Sequence, residues 1–540
     1  MTGAPLRVRW LGRVAYRDAS ALQRGLHRAG RGDWLLLLEH PPVFTMGLRT
    51  RPEHVLIDPA ELGAELVVAD RGGDVTYHGP GQLVGYAVRS VPAGPGSTPA
   101  FVRGLEQVVI DAVGDLGVRG ATRQPGRPGV WVGDDKLCAV GVRLSRGRSM
   151  HGFALNVDPD LAMFERIVPC GLADAGVTSL AALGVRATMV EVVDAVARRA
   201  ADRWGPAERQ DAAWEAPARS GPAALAGGLS IGERKPAWLR APVHMGPEFV
   251  ELKRTMRSLD LVTVCEEAGC PNIFECWGEG TATFMINGDR CTRACGFCLV
   301  DTRRPLPADA GEPERVAEAV EQMGLAHAVV TAVARDDLAD GGAAAFAATV
   351  AAIRRRCPGT TVEVLIPDCK GDPGALGAIF DARPEVVNHN LETVARLQRL
   401  ARPSASYARS LAVLARAAAA GLTAKSGLVL GMGESEPEVL GALADLRGAG
   451  ATIVTLGQYL RPTAGHLPVA RWWRPDEFDR LRAAALAMGF AHVEASPLTR
   501  SSYHARAALP ATPAGPPAAP PDELGAVSRA RARETHTSTG

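Results

Sequence analysis

The chain has 540 residues, of which 46% are hydrophobic and 22% charged, with a formal net charge of +1. These values are typical of a globular enzyme, and the near-neutral charge disfavours nucleic-acid and anionic-membrane partners. No run reaches the roughly 20 apolar residues of a membrane helix, and the first residues lack the apolar core of a signal peptide. We therefore expect a cytoplasmic protein, and its length predicts two large domains.

Composition divides the chain at two places. Residues 208–232 gather Ala, Gly, Pro and Ser without hydrophobic periodicity, which predicts a flexible linker. Residues 508–540 have a proline density that opposes helix and sheet, which predicts a disordered tail. The two domains, 1–207 and 233–507, alternate apolar runs with amphipathic helical segments, so each is expected to be α/β or α+β.

In the first domain, the run Arg71–Gln82 (RGGDVTYHGPGQ) contains five glycines or prolines, an imidazole and a phenol. Such a run is typical of a constrained loop whose exposed backbone amides bind a carbonyl or a phosphate. A plain tight turn is the alternative interpretation.

Cys170, in IVPCGL, stands between proline and glycine in a setting that predicts a turn with an exposed thiol. A nucleophilic cysteine needs a neighbour that favours thiolate, and Lys136, in GDDKLCAVG, is a candidate because a nearby ammonium lowers a thiol pKa. An inert cysteine and a surface lysine are the alternatives.

Residues 1 to about 205 resemble lipoyl-protein octanoyltransferases in the ordered segments LEHPPVFTMG, RGGDVTYHGPGQLVGY, GVWVGDDKLCAVGVRL, HGFALNV and FERIVPCGL. The resemblance implies a biotin/lipoate-ligase-like mixed-sheet fold, with Cys170 carrying octanoyl as a thioester and Lys136 as its acid–base partner. It implies transfer from octanoyl-acyl carrier protein to a lipoyl-domain lysine. The implied acyl pocket is lined by Arg71, Gly72, Gly73, Asp74, Val75, Thr76, Tyr77, His78, Ala139, Val140, Gly141, Gly152, Phe153 and Ala154.

Two other functions stay open for this domain: an ATP-dependent lipoate ligase, and a non-catalytic module that binds lipoyl domains. Cys170 and Lys136 argue against the ligase. Arg143, Arg146 and Arg148 form a basic turn that fits an acidic carrier protein or its phosphopantetheine phosphate. A solvated hairpin turn is the alternative for these arginines.

Six of the ten cysteines lie within 34 residues, in two sets of three. One set has C-x3-C-x2-C spacing, which holds an iron–sulfur cluster by three thiolates and leaves one iron open for a ligand. The other has C-x4-C-x5-C spacing and needs a fourth ligand from elsewhere. For the C-x3-C-x2-C set taken alone, a zinc knuckle or a ferredoxin-like fragment is the alternative. The sets are Cys291, Cys295 and Cys298, and Cys265, Cys270 and Cys276.

Downstream, apolar runs that predict strands end in polar residues, and helical segments separate them. This order predicts a parallel barrel whose ligands bind at the carboxyl ends of its strands. One unit contains Gly427, Val429, Gly431 and Glu434 as G-x-V-x-G-x-x-E, where backbone can approach a nucleotide-like ligand. The polar residues include Arg335, Asp336, Asp337, Asp368, Asn388, His389, Asn390 and Gln458.

Residues 235 to about 505 resemble lipoyl synthases, which are radical S-adenosylmethionine enzymes. The matching segments, in order, are VCEEAGCPNIFECWGEGTATFMINGDRCTRACGFC, RDDLADGGA, EVLIPDCKGD, NHNLETV, RPSASYARSL, KSGLVLGMGE, GQYLRPT and RSSY. The resemblance implies a partial (βα)6 barrel with two [4Fe-4S] clusters. S-adenosylmethionine would bind the cluster on Cys291, Cys295 and Cys298, and Ser502 would complete the auxiliary cluster on Cys265, Cys270 and Cys276.

Further cofactor contacts are expected from Gly427, Gly431, Glu434, Asn388 and Glu392. A core or supporting role is the alternative for His389 and Glu392. Cys357 and Cys369 fall outside every motif and are interpreted as small apolar residues.

Together the resemblances imply a bifunctional enzyme that transfers octanoyl to a lipoyl domain and then inserts sulfur at C6 and C8. Each insertion would consume one S-adenosylmethionine, with sulfur drawn from the auxiliary cluster. The implied acceptors are the lipoyl domains of 2-oxoacid dehydrogenase complexes and the glycine cleavage H protein. A ferredoxin or flavodoxin is the expected electron donor.

Overall fold

The structure is a computed structural model that describes residues 5–92, 94–168, 176–212, 235–240, 247–263, 272, 282–503 and 505. Most of the predicted linker and the whole predicted tail lie outside these residues. None of the helices within the described ranges is long and apolar enough to cross a membrane.

The first domain combines a large mixed sheet with three helices. Its strands are β1 (Leu6–Arg13), β2 (Asp33–Glu39), β3 (Val43–Met46), β4 (Glu65–Val68), β5 (Thr76–His78), β6 (Gln82–Val88), β7 (Ala121–Gln124), β8 (Arg127–Val132), β9 (Asp135–Ser145), β10 (Arg148–Asn156), β11 (Gly176–Val177) and β12 (Ala207–Asp211). Its helices are α1 (Tyr16–Ala29), α2 (Ser97–Asp115) and α3 (Met189–Trp204). Nine strands form one sheet in the order β12-β1-β2-β6-β10-β9-β8-β7 with β11 beside β9, and β4-β3-β5 form a second, small sheet. The expected mixed sheet is confirmed.

The central strand β2, DWLLLLE, is apolar on both faces because helices cover both sides of the sheet. Leu35 and Leu37 belong to the core beneath α2 and α3. Trp34, Leu36 and Leu38 point the other way, into the core that includes α1. The two-residue period of a strand thus divides one apolar run between two cores.

The predicted linker begins too early in the sequence. Residues 208–211 are part of β12, which pairs in parallel with β1 from Leu6 to Trp10. The segment AERQD is polar because it lies at the edge of the sheet, where few side chains are fully buried. Sheet pairing, which hydrophobic periodicity does not report, extends the first domain to at least residue 211.

The second domain is a curved sheet whose parallel strands alternate with helices. Its strands are β13 (Val262–Thr263), β14 (Thr283–Ile286), β15 (His327–Ala332), β16 (Thr361–Leu365), β17 (Val386–Asn388), β18 (Thr423–Leu430), β19 (Ile453–Gln458) and β20 (His492–Ala495). Its helices are α4 (Pro247–Ser258), α5 (Glu312–Gln322), α6 (Ala343–Arg356), α7 (Pro373–Asp381), α8 (Gln398–Ala401), α9 (Tyr407–Ala419), α10 (Glu436–Ala449) and α11 (Pro475–Ala487).

Strands β13 to β20 pair in consecutive order, and every pair from β14 onward is parallel. Helices join each strand from β14 to β19 to the next one, which makes six βα units before the last strand. The predicted parallel barrel is confirmed. Its ligand end is the edge where the strands have their carboxyl ends.

The two domains share one buried core. Leu22 and Leu26 of α1 lie in the same apolar cluster as Leu411 and Leu414 of α9. Where the two helices cross, a Cβ on Gly25 would be 2.7 Å from the Cβ of Ala415. A larger residue than glycine would therefore push α1 away from the barrel.

A buried ion pair ties β1 of the first domain to α10 of the second. Arg9 Nε lies 2.7 Å from Asp445 Oδ2, and both side chains are at most 4% exposed. The hydroxyl of Tyr407 donates to the same carboxylate at 3.0 Å. Burial lowers the pKa of Arg9, but Asp445 and Glu208 outweigh this effect and raise it above its ordinary value.

A second charged contact lies near the start of α1. Asp18 is 2.9 Å from Arg416 and 3.1 Å from Arg409, both on α9. The carboxylate is almost fully buried, so its two arginine partners compensate for its loss of hydration.

We predict that Asp445→Ala destabilises the full chain by about 3–5 kcal/mol, because Arg9 stays buried without its main counter-charge. The urea midpoint of unfolding measures this loss. Asp476→Ala removes an exposed partner of Arg474 and serves as the control, with an unchanged midpoint. Equal midpoints for the two variants would contradict the importance of the buried pair.

Candidate active sites

The candidate acyl pocket of the first domain lies between the Arg71 loop, strands β6, β9 and β10, and the start of α1. The loop rests on β9, where Gly72 N donates to Val142 O at 3.1 Å. A Cβ on Gly141 would be 2.9 Å from Gly72 O, so the close approach requires glycine there. Glycine thus shapes the wall of the pocket.

Arg71 is the only arginine or lysine among the described residues that line this pocket. Its guanidinium is hydrogen-bonded to β3. Its Nη2 donates to Thr45 O at 2.6 Å and to Thr45 Oγ1 at 2.8 Å. Burial of the guanidinium against β3 makes Arg71 a support for the loop.

All but two of the predicted pocket residues line this pocket. Val75 and Tyr77 instead pack with Phe44 and Phe164 on the opposite side of β5. The alternation of side chains along a strand explains the difference, since Thr76 and His78 on either side of Tyr77 do face the pocket.

Four lining residues were not predicted: Tyr16, Val84, Tyr86 and His151. Val84 and Tyr86 alternate along β6, and Tyr16 begins α1. Their apolar neighbours made them indistinguishable from ordinary core residues in the sequence. Only His151, beside glycine in the segment HGFALNV, carried a usable signal.

His151 and Asp70 form a hydrogen-bonded pair at the pocket wall. Nε2 of His151 lies 2.7 Å from Asp70 Oδ1, and the residue has the left-handed backbone angle φ of +61°. Burial lowers the pKa of His151, although Asp70 opposes the shift. The hydrogen bond from His151 in turn lowers the pKa of Asp70.

Two more buried imidazoles stay neutral beside the acyl pocket. Nδ1 of His40 lies 2.7 Å from Val14 O, so it donates, and Nε2 accepts from the Tyr86 hydroxyl at 2.8 Å. Burial lowers the pKa of His40 to about 4. Burial also lowers the pKa of His78 to about 3. The pocket therefore has little positive charge at neutral pH, which suits an apolar chain.

Lys136 lies on β9 and is almost fully buried, with its Nζ 4.7 Å from the centre of the Trp131 ring. Cys170 lies outside the described residues. The described residues on both sides of its segment are anchored: Val168 N donates to His54 O at 2.8 Å, and Val177 pairs with Lys136.

Of the three arginines in the basic turn, Arg143 and Arg146 are exposed and Arg148 is buried. Arg148 is 7% exposed and donates to Gly32 O at 2.6 Å, so it stabilises the sheet. Arg143 pairs with Asp70, whereas Arg146 occupies the left-handed turn position.

The second candidate site is the cysteine loop that follows β14. Backbone N–H groups of Arg293 and Ala334 donate to Cys291 Sγ at 3.4 and 3.3 Å. Burial raises the pKa of Cys295, and it raises that of Cys298 to about 12. Thiolates in such a place need a metal to stabilise them.

Cys291, Cys295 and Cys298 are free thiols, and thiolates are the ligands that iron–sulfur clusters use. Within the described ranges, no group of three or more His, Cys, Asp or Glu residues is spaced to hold one metal ion. In a cubane cluster each thiolate binds a different iron, so wider sulfur spacing is expected.

Arg293, between the first two cysteines of this loop, holds the loop against the barrel. It contacts Asp336 at 2.7 Å and the fully buried Asp368 at 2.6 Å. These carboxylates follow β15 and β16, and their attraction outweighs the effect of burial, so the pKa of Arg293 is raised. The loop is thus tied to the carboxyl ends of two strands.

Gly427 and Glu434 stabilise β18 and the turn that follows it through buried contacts. A Cβ on Gly427 would be 2.5 Å from Thr455 Oγ1. The buried carboxylate of Glu434 accepts hydrogen bonds from Gly431 N, from Met432 N at 3.0 Å and from Trp473 Nε1 at 2.9 Å. Glu434 therefore closes the turn, and Gly431 adopts its φ of +117°.

Two side chains after β17 have different surroundings: His389 lies in the core, and Glu392 lies near the cysteine loop. His389 is buried, with hydrogen bonds to Ile366 O at 2.8 Å and Ser410 Oγ at 3.0 Å, so it belongs to the core. Glu392, at a φ of +69°, lies close enough to Cys295 and Cys298 to raise their pKa.

Two amide side chains leave unpaired acceptors near this edge. Asn388 donates to Glu363 at 2.9 Å, but its Oδ1 is buried without a hydrogen-bond partner among the described residues. The Oδ1 of Asn390 is in the same state. Buried acceptors of this kind fit a polar ligand that donates to them.

The predicted auxiliary cysteines Cys265, Cys270 and Cys276 lie outside the described residues. Asn272, between the last two, is described, and its Nδ2 donates to Leu498 O at 2.7 Å. Leu498 is four residues before Ser502, which lies half-buried in the turn 501–503. This contact links the auxiliary-cysteine segment with the region of the predicted fourth ligand.

Family models match both domains. Residues 15–201 match the lipoyl protein ligase A/B catalytic domain. Residues 285–446 match the radical SAM superfamily, and residues 223–270 match the N-terminal domain of lipoyl synthase.

Curated relatives match half of the chain. Over 273 residues the chain is 57% identical to the lipoyl synthase of Rubrobacter xylanophilus, covering 50% of this chain and 85% of that protein. It is 55% identical to the lipoyl synthase of Leifsonia xyli over 273 residues, covering 51% of this chain and 83% of that protein.

Among solved structures, a lipoate-protein ligase A bound with ATP is 18% identical with a TM-score of 0.35, covering 38% of this chain and 89% of that one. The relatives and the family models agree on the lipoyl synthase character of the second domain. The chain belongs to the lipoyl synthase family of radical SAM enzymes through its second domain, and it carries a lipoyl protein ligase A/B catalytic domain before it.

Proposed function

We propose that the chain performs two consecutive steps of lipoyl assembly on a protein acceptor. The first domain transfers octanoyl from octanoyl-acyl carrier protein to a lysine of a lipoyl domain. The second domain inserts sulfur at C6 and C8 of that octanoyl group. The acceptors proposed are the lipoyl domains of 2-oxoacid dehydrogenase complexes and the glycine cleavage H protein.

The observation that carries this proposal is an acyl pocket with one arginine and no lysine among its described lining residues, in a chain whose second domain belongs to the lipoyl synthase family. His40 and His78 stay neutral, and the guanidinium of Arg71 is held by Thr45. A triphosphate needs several cationic or amide donors, whereas an acyl chain needs apolar walls. The described pocket therefore favours transfer of an activated acyl group over ATP-dependent ligation.

In the first step, the Cys170 thiolate attacks the octanoyl thioester and releases the carrier thiol. The neutral lysine amine of the lipoyl domain then attacks the Cys170 thioester, which forms an amide and regenerates the thiol. Lys136 is proposed to accept and return the proton in these exchanges, since the described end of the Cys170 segment pairs with it at Val177.

In the second domain, Cys291, Cys295 and Cys298 are proposed to hold a [4Fe-4S] cluster with S-adenosylmethionine. When bound, this cluster supplies the electron that cleaves the sulfonium and allows hydrogen abstraction from the octanoyl chain. Arg293 holds the cysteine loop in place, and the buried acceptors of Asn388 and Asn390 orient polar groups at this edge.

A second [4Fe-4S] cluster, on Cys265, Cys270 and Cys276, is proposed as the sulfur source. Ser502 is its proposed fourth ligand, supported by the contact between Asn272 and Leu498. A hydroxyl is a weaker and more exchangeable partner for iron than a thiolate, which suits a cluster that gives up sulfur. A small electron-transfer protein, such as a ferredoxin or flavodoxin, is the proposed reductant.

We predict that Cys170→Ser lowers octanoyl transfer by more than about 100-fold, because a hydroxyl is a far weaker nucleophile than a thiolate. Mass spectrometry of a lipoyl domain incubated with octanoyl-acyl carrier protein measures the product. Cys138→Ala, which removes a buried thiol, is the control and keeps activity. Undiminished transfer by the serine variant, or transfer that needs ATP and free octanoate, would contradict the assignment.

The two cysteine sets predict different losses. Cys291→Ala abolishes deoxyadenosine formation, whereas Cys265→Ala still cleaves S-adenosylmethionine but inserts no sulfur. After anaerobic reconstitution each variant should hold about four irons, compared with about eight in the unmodified chain. Cys357→Ala, outside both sets, keeps the full iron content. Sulfur insertion by the Cys265 variant would remove the role of its cluster as sulfur source.

Acidification should destabilise the first domain. The folded pKa values of His40 and His78, about 4 and about 3, lie below the ordinary 6.5, so the unfolded chain binds protons first as the pH falls. The stability is present above pH 6.5 and is lost below it, by about 2 kcal/mol per histidine at pH 5.

Urea unfolding of the full chain at pH 7 and pH 5 measures this effect. His40→Gln removes one of the buried imidazoles whose pKa is lowered, so this variant should lose about 2 kcal/mol less stability between pH 7 and pH 5 than the unmodified chain. An unchanged loss of stability in this variant would show that burial does not hold the His40 imidazole neutral.

A further inference from the structure

A cleft between the two domains, made of two neighbouring grooves, lies between the acyl pocket and the carboxyl end of the barrel. Tyr16 lines both the acyl pocket and a groove of about 370 Å³ beside α1. The next residue, Arg17, lines that groove and a second one of about 380 Å³. The start of α1 therefore borders three adjoining spaces.

Both domains build the first groove. Arg24 and Arg28 of α1 and Val68 of β4 form one wall, and Ala415 and Arg416 of α9 form the other. Arg24 is near enough to the acyl pocket to lower the pKa of Asp70, which pairs with His151. The groove thus lies next to the candidate octanoyl site, and Tyr16 borders both.

The second groove reaches the radical end of the barrel. It is lined by Gly341, which follows β15, and by Cys369 and Lys370, which follow β16. Asp368, the residue before Cys369, holds Arg293 of the cysteine loop at 2.6 Å. The cleft therefore ends beside the loop that carries the cluster cysteines.

The cleft has an excess of positive charge. Arg24 and Arg28 are exposed, and neither forms an ion pair in the part of the chain that the structure describes. The acidic residues near them are already engaged: Asp18 by Arg409 and Arg416, and Glu65 by Arg17.

An apolar edge adjoins this positive charge. Strand β4 is an end strand of its small sheet, with Leu66 39% and Val68 75% exposed. Exposed apolar side chains beside unpaired charges are typical of a protein-binding surface.

We propose that this cleft is the docking surface for the lipoyl-domain acceptor, which presents its lysine first to the acyl pocket and then to the barrel without leaving. The proposal rests on the proposed function. The acceptor is the only protein substrate that both domains must bind, whereas the carrier protein needs the first domain alone. Charge complementarity requires an acidic face on the acceptor beside the modified lysine.

The test measures both activities in the full chain with Arg24→Glu and Arg28→Glu combined. Octanoyl transfer is followed with an unmodified lipoyl domain, and sulfur insertion with one already octanoylated. We expect the KM for the acceptor to rise at least about tenfold in both reactions, with kcat and the KM for the carrier protein unchanged.

The matched control is Arg186→Glu with Arg198→Glu. Both arginines are exposed, Arg186 just before α3 and Arg198 on α3, which lies on the opposite face of the sheet from α1. This variant carries the same charge change and should keep every KM. A rise confined to the carrier protein would assign the cleft to the donor, and no change in either reaction would overturn the docking surface. If the unmodified chain transfers no octanoyl, the proposed function itself fails.

A second measurement distinguishes one docking site that serves both reactions from two separate docking sites. A lipoyl domain with arginine in place of its acceptor lysine should inhibit octanoyl transfer and sulfur insertion with the same inhibition constant. Different constants for the two reactions would show two separate docking sites and overturn the proposal.

Discussion

The packing of α1 on α9 is the contact on which the arrangement of both sites depends. Gly25 allows the two helices to touch, and Leu22 and Leu26 join the core of the barrel. Tyr16, at the start of the same helix, lines the acyl pocket. Because one rigid helix serves the pocket, the interface and the cleft, the positions of the two sites are coupled.

Charge reinforces this contact at two points. Arg9 with Asp445, and Asp18 with Arg409 and Arg416, bury ionic groups between domains where each would be unfavourable alone. Buried pairs add little net stability over apolar packing, but they penalise every other orientation in which one charge loses its partner. We infer that they specify the docking angle while the apolar contacts supply the affinity.

The two sites differ in the charge state of their buried side chains. In the acyl pocket, burial keeps the imidazoles of His40 and His78 neutral, so an apolar chain meets little electrostatic cost. In the barrel, Arg293 is held fully charged between Asp336 and Asp368 and braces the cysteine loop. One site accommodates a hydrocarbon, and the other secures a loop for a charged metal cluster.

The sequence alone determined the local features: the cysteine spacings, the glycine-rich loop, the alternation of strands and helices, and the family of the second domain. These depend on residues close together in the chain, where spacing dictates geometry. It missed Tyr16, Val84 and Tyr86, and it placed the start of the linker inside β12, because sheet pairing and pocket lining join residues distant in sequence.

Only the tertiary structure decided how those features are used. It turned Val75 and Tyr77 away from the pocket, assigned His389 to the core, and brought Glu392 to Cys295 and Cys298. It also joined the domains through α1 and opened a cleft between their sites. Burial and ion pairing depend on which surfaces come into contact in three dimensions, and the linear pattern of residue types does not specify those contacts.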